Sequence, residues 1–312
     1  MNNLELLKAL DVHVAGHTEF KKALIALVTR SKLRHFQKYC KGVEKSNLLK
    51  TMKILVKGSS GTGKTHTVEC LKSIVDFPFL RFDATQITPS GASGKSKPED
   101  IEQAMHAEAS RCFKENPTKY LTVEGALDRM VVFIDEFDKL VNSFESSGKW
   151  NKQVQSNLLT LLDNKHEFAG VSWILAGAFV DLDKNREIKN RSIGFGTHTE
   201  DLKQDALLDE ELVKAGLIPE IVGRISYIVE LDKFSKDDFI SILNTRILPQ
   251  KYLDLAAYGA EEQKLTKKQI ELIAHNGMRS GQGVRYLARE VEKLFLDAEF
   301  EAGLSYSLYN EH

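Results

Sequence analysis

The run from Lys53 to Thr67, KILVKGSSGTGKTHT, constrains this chain more than any other stretch: an apolar segment breaks into glycines and restarts as a helix. Gly58, four residues, then Gly63, Lys64 and Thr65 fill the eight-position pattern of a phosphate-binding loop. The glycines let the backbone turn tightly and face successive amides inward, and a helix beginning near Lys64 adds its positive end to the same spot. A triphosphate is therefore the expected ligand, held by Gly58, Ser59, Ser60, Gly61, Thr62, Gly63, Lys64, Thr65 and His66. Lys64 is expected to reach the β and γ phosphates, and the Thr65 hydroxyl to enter a Mg²⁺ shell. An ordinary Gly-Ser turn between strand and helix would not need all four specified positions.

A second constellation belongs with the first. Met130 to Leu140, MVVFIDEFDKL, is an apolar strand that ends in two carboxylates, about 70 residues beyond the glycine loop. A buried strand cannot hide Asp135 and Glu136 without partners, so both are expected to emerge at its C-terminal end beside the loop. Asp135 is expected to hold Mg²⁺ through water, and Glu136 to orient and polarise the attacking water. Other fragments fail as motifs. Gly94, Lys95 and Ser96 imitate a second phosphate loop, but Pro89 stands where its first glycine is required. His106 and Glu108 lack the cysteine half of a zinc-deaminase pattern, and no histidine shows HExxH spacing.

Strands are expected at 52–57, 78–83, 130–134, 171–176 and 226–230, with helical patterns between them, the alternation that builds a parallel sheet covered by helices on both faces. Two helices are expected ahead of the sheet, at 4–10 and 17–39, and only helices after about Asp232, at 235–248, 266–276 and 284–301. The reading is an α/β nucleotide-binding domain over 1–232, including the N-terminal helices within 1–45, and a helical lid over 233–312. Among 312 residues, 43 basic and 44 acidic side chains nearly cancel, which argues against a nucleic-acid coat or a membrane-surface protein. The basic residues of the second helix, Lys21, Lys22, Arg30, Lys32, Arg34 and Lys38, are either a solvated face or a polyanion contact. Three separated cysteines suit a reducing compartment, and without a leader or an 18-residue apolar run the expected location is the cytoplasm.

Beyond these motifs, the chain resembles the ClpX branch of the AAA+ ATPases from about Leu7 to Phe300. The matching stretches are LDVHVAGH at 10–17, GSSGTGKT at 58–65, FDAT at 82–85, FIDEFDKL at 133–140, AGAFVDLDK at 176–184, IGFG at 193–196, AGLIPEIVGR at 215–224 and GQGVR at 281–285. The resemblance implies a homohexameric ring with ATP between subunits, and motion of the lid at each turnover that pulls protein substrates through a central pore. It also implies that Val14 and Ala15 pack on the adenine, that Arg224 is the arginine finger given to a neighbour, and that Arg285 is the sensor arginine of the small domain. Ile193, Gly194 and Phe195 align with the loop by which the family docks on a ClpP-like peptidase.

Departures from the family's pattern are specific. At the pore-loop position the family carries an aromatic between glycines, whereas this chain reads Gly91, Ala92, Ser93, Gly94. Ala92 offers almost none of the rigid contact area that an aromatic supplies at low entropic cost. The family's N-terminal zinc-binding domain is expected to be absent, and Asn164 to Val171 is too short for its basic substrate loop. The principal expectation is an ATP-driven protein unfoldase or remodeller, able to feed a ClpP-like peptidase. The alternatives are an ATP-dependent switch or scaffold for a dedicated partner and, ranked last, a nucleic-acid-directed ATPase.

Overall fold

The computed structural model describes residues 1–88, 97–141, 148–163, 166–179, 209–257 and 264–309. Short runs rich in β-branched and aromatic residues form five strands: β1 (Lys53–Lys57), β2 (Phe79–Asp83), β3 (Val131–Asp135), β4 (Ser172–Gly177) and β5 (Tyr227–Glu230). They pair in parallel in the order β2-β3-β4-β1-β5. Each lies within one residue of its expected ends.

Alternation along the strands divides the side chains between two cores. Leu55, Val132, Ile134, Trp173 and Leu175 enter one, and Ile54, Val56, Val131, Phe133, Ile174 and Ala176 enter the other. A sheet buried on both faces cannot show the apolar/polar alternation of a half-wet one, which explains the nearly continuous apolar runs. The first core is closed by Ile101, Met105 and Ala109 of α4 (Pro98–Glu115) and by Val154, Leu158 and Leu161 of α5 (Gly148–Leu162). Helices α1 (Asn3–His13), α2 (Thr18–His35) and α3 (Lys64–Ile74) close the second core, through Leu6, Leu10, Phe20, Leu24, Leu27, Val68 and Leu71. Each such side chain contributes about 1.5–3 kcal/mol on burial.

The basic residues of α2 do not form one exposed stripe. Lys21 and Arg34 are buried, and Arg34 Nη1 donates to the carbonyl of Leu49 at 2.6 Å. Just beyond the helix, Lys38 pairs with buried Asp128 at 2.6 Å. Lys22, Arg30 and Lys32 alone of the set are exposed.

Two compact units result. The sheet unit gathers Met1–Leu10, Thr18–Gly58 and Lys64–Leu231; the other gathers Asp11–His17, Ser59–Gly63 and Asp232–His312. The second unit is helical, with α6 (Lys236–Ile242), a π turn over Leu243–Ile247, α7 (Leu248–Ala257), α8 (Lys267–Ser280) and α9 (Val284–Tyr309). Its core includes Phe239, Leu243, Leu255, Ala274, Leu287, Val291 and Phe295. Capping boxes start two of its helices: Ser235 with Asp238 at α6, and Thr266 with Gln269 at α8.

Helix α7 corrects the expectation that this helix would end at 248. Leu248-Pro249 reads as a terminator because proline lacks an N–H and its ring crowds the preceding turn. Here the proline falls two residues after the end of the π turn, where the α ladder is already interrupted, and the chain continues helically. Tertiary contacts hold the extension: Leu255 is buried, and the 3 % exposed Lys251 amine donates to Glu292 and Glu299 of α9. Burial alone would lower that amine's pKa, but the two carboxylates outweigh it and leave the pKa raised. No described helix is long and apolar enough to cross a membrane.

Trp173, fully buried at the centre of the sheet, sets a test of this packing. Trp173→Ala is expected to destabilise the sheet unit by about 3–5 kcal/mol. Leu253→Ala, at a position 65 % exposed, should stay within about 0.5 kcal/mol. Urea unfolding monitored by far-UV circular dichroism distinguishes the two.

Candidate functional site

Beyond β1 the chain turns through Gly58–Gly63 before α3 begins at Lys64. The Gly58 amide donates to the carbonyl of Gly177 at the end of β4, 3.1 Å away, which anchors the departure of the loop to the neighbouring strand end. Within the loop, Thr62 Oγ1 donates to the carbonyl of Ser59 at 2.8 Å. Gly61 and Gly63 lie at φ +79° and +82°, a region L side chains rarely adopt. The first amides of α3 have no acceptor within the helix, so its start suits an anion. Lys64 curls back and donates from Nζ to the carbonyl of Gly58 at 2.5 Å, which keeps a cation at the turn.

The second motif meets the first through one short contact. Val131 to Ile134 are buried, and Asp135, whose side chain is 13 % exposed, is where β3 emerges. Thr65 Oγ1, one residue into α3, donates to Asp135 Oδ2 at 2.7 Å. A hydroxyl and a carboxylate so close are hard oxygen donors of the kind Mg²⁺ takes, with waters completing its shell. Glu136 is exposed and sits at φ +53°, ψ +32°, and its amide donates to Asp135 Oδ1 at 3.0 Å. A left-handed conformation at a non-glycine residue costs about 1–2 kcal/mol, so this turn is held by its surroundings. Next to α3's first turn, His66 Nε2 lies 3.2 Å from Cys70 Sγ.

One cation at this site is absent from the motif reading. Arg81 on the edge strand β2 lies beside Phe133 in register. Its guanidinium donates to Asp135 Oδ2 at 2.9 Å and to Glu69 Oε1 of α3 at 2.7 Å, and it sits 5.9 Å from the Phe133 ring. The available signal was a lone arginine inside the strand FLRFD.

The remaining expected residues are distributed as follows. Arg224 follows the short helix Pro219–Val222; its guanidinium pairs with Asp163 just past α5, and Nη1 donates to the Glu220 carbonyl at 2.6 Å. In the helical unit, Arg285 Nη1 donates to Ser60 Oγ at 2.8 Å, and the Val284 amide donates to the Gly61 carbonyl at 3.1 Å. His17 Nε2 donates to the Thr62 carbonyl at 2.7 Å, with its ring 4.8 Å from that of Phe234. Val14 and Ala15 share this segment, Asp11–His17, and Ala15 packs on the helical core. Gly91, Ala92, Ser93 and Gly94, and Ile193, Gly194 and Phe195, lie outside the described residues.

Residues 54–191 match the family described as "ATPase family associated with various cellular activities (AAA)". The chain carries an AAA-family ATPase core. The matched span contains the glycine loop from Gly58, together with Asp135 and Glu136, while Val14, Ala15, Arg224 and Arg285 fall outside it. Similarity to individual proteins extends further along the chain. The chain is 29 % identical to the ATP-dependent Clp protease ATP-binding subunit ClpX of Treponema denticola, over 96 % of this chain and 76 % of that protein. It is 27 % identical to proteins of the same name from Borrelia duttonii and Borrelia recurrentis, over 95 % of this chain and 73 % of each.

The AAA core depends locally on glycine at position 61. A Cβ there would stand 2.3 Å from the Gln282 carbonyl, at a backbone angle already unfavourable to it. Gly61→Ala is expected to cost about 1–3 kcal/mol and to weaken ATP binding about tenfold or more. Gly42→Ala, at a positive φ but with nothing within 4 Å, should leave nucleotide affinity unchanged in calorimetric titration.

Proposed function

We propose that this AAA ATPase works as a subunit of a homohexameric ring that unfolds or remodels protein substrates. The carrying observation is the meeting of Thr65 and Asp135 at 2.7 Å, with Glu136 as the next residue. It brings the oxygen donors of the loop and of the strand end together beside Lys64, and similarity to ClpX over nearly the whole chain supports the ring and the protein substrate.

In this reading the loop amides and Lys64 bind the β and γ phosphates, and Thr65 and Asp135 hold Mg²⁺. When bound, the metal supplies positive charge that offsets the negative charge of the phosphates. Glu136 orients a water in line with the γ phosphorus and takes its proton at a carboxylate oxygen. Arg224 of one subunit lends its guanidinium to the nucleotide of the next, stabilising charge that spreads over the transferred group. Arg285 and the Val14–Ala15 segment, both in the helical unit, report nucleotide occupancy to that unit. Work done there is passed to a polypeptide in the central pore.

Ile193, Gly194 and Phe195 extend the proposal to docking on a ClpP-like peptidase, since six copies of an apolar tripeptide would gain from multivalency. Ala92 at the aromatic pore position favours a second reading, an ATP-dependent switch or scaffold that binds a dedicated partner without threading it. ATP-dependent unfolding of a stably folded, tagged protein would eliminate this second reading.

Glu136→Gln is expected to lower ATP turnover at least about 100-fold while nucleotide binding and assembly persist. Steady-state phosphate release and size-exclusion chromatography with ATP measure both, and normal turnover would sink the assigned role. Arg224→Ala should lower turnover by about 10³ with nucleotide affinity retained. Turnover in an Arg224→Ala preparation is expected to recover in part when an excess of Lys64→Ala subunits, which retain Arg224, is mixed in, because the guanidinium acts on the neighbour.

A further inference from the structure

The AAA site contains a cation that its motifs do not require. Asp135 has about four acceptor positions as a carboxylate. Three are engaged: Oδ2 accepts from Thr65 Oγ1 and Arg81 Nη2, and Oδ1 accepts from the Glu136 amide. The Thr65 and Glu136 contacts are compatible with a metal beside Asp135, because a hydroxyl that donates to the carboxylate still has lone pairs for a cation. A guanidinium is different. It is always charged, has no lone pair to offer, and repels a divalent ion brought to the same oxygen.

Arg81 also has a second resting place. Its Nη1 already donates to Glu69, exposed on α3, and its own side chain is 46 % exposed. The guanidinium can therefore leave Asp135 without losing every partner or entering an apolar environment.

From this juxtaposition we infer that Arg81 is a displaceable occupant of Asp135, holding the carboxylate in place before Mg²⁺ arrives and competing with the ion when it does. Glu69 serves as the counter-station that retains Arg81 after displacement. The inference rests on the reading of Thr65 and Asp135 as the metal-holding pair. The pairing makes the Mg²⁺ requirement for nucleotide binding a property of this chain's own second strand. It raises the ion concentration needed while ordering the carboxylate in the nucleotide-free state.

The test is calorimetric titration of the full chain with ADP at a series of free Mg²⁺ concentrations, reading the concentration that gives half of the full gain in affinity. Arg81→Met is expected to lower that concentration about three-fold, the size of effect an exposed ion pair produces. Glu69→Gln should raise it, because the displaced guanidinium loses its alternative partner. Arg81→Lys, which keeps a cation within reach, should stay near the wild-type value. Arg81→Gln repeats the measurement with a side chain that can still donate a hydrogen bond, and should follow Arg81→Met.

An unchanged or increased Mg²⁺ requirement in Arg81→Met would overturn the inference while leaving the nucleotide site intact. Weaker ADP binding at every Mg²⁺ concentration would overturn it too, making Arg81 a phosphate ligand instead. If the wild-type chain bound ADP with no dependence on Mg²⁺, the metal-holding role of Thr65 and Asp135 would fail along with it.

Discussion

Burial of a parallel sheet on both faces is the constraint from which the rest of the sheet unit follows. Because neither face of β1, β3 or β4 meets water, their residues must be apolar along almost their whole length, and charge can enter only where a strand ends. Parallel pairing brings those ends to the same edge. Gly58 after β1, Asp135 at the end of β3 and Gly177 at the end of β4 therefore gather on one side of the sheet. Polar chemistry collects there because the interior excludes it elsewhere.

At that edge, short polar contacts convert strand ends into a site. The Thr65 hydroxyl links the first turn of α3 to Asp135, and the Gly58 amide links the loop to β4. Backbone at positive φ stores modest strain at Glu136, whereas Gly61 and Gly63 adopt it without steric cost. Such strain persists only where the surrounding packing overdetermines it. The cores above and below the sheet supply that packing, so stability in the interior and geometry at the edge are linked.

The helical unit solves a different problem. Its helices hold together through one apolar cluster, local capping boxes and the buried Lys251 amine shared between two α9 carboxylates. Contacts from His17, Val284 and Arg285 to Thr62, Gly61 and Ser60 also tie the middle of the glycine loop to this unit. The loop is continuous with β1 and α3 in sequence, yet its central residues are grouped with the C-terminal helices.

What could be read without a structure was whatever depends on neighbours in sequence: the strand runs, the glycine loop, the Asp135-Glu136 pair and the helical C-terminal region. Apolar periodicity and turn chemistry are local, so they survive in one dimension. The continuation of helix past 248 was missed because the Lys251 contacts that hold it join residues far apart in sequence. Arg81 escaped notice for the same reason: its importance lies in Asp135 and Glu69, 54 and 12 residues away. By itself, the sequence determined where the five strands form and which residue types could handle a phosphate. Tertiary structure alone decided which charges share an oxygen, because electrostatic pairing acts through space and depends on distances that only strand order and helix packing set.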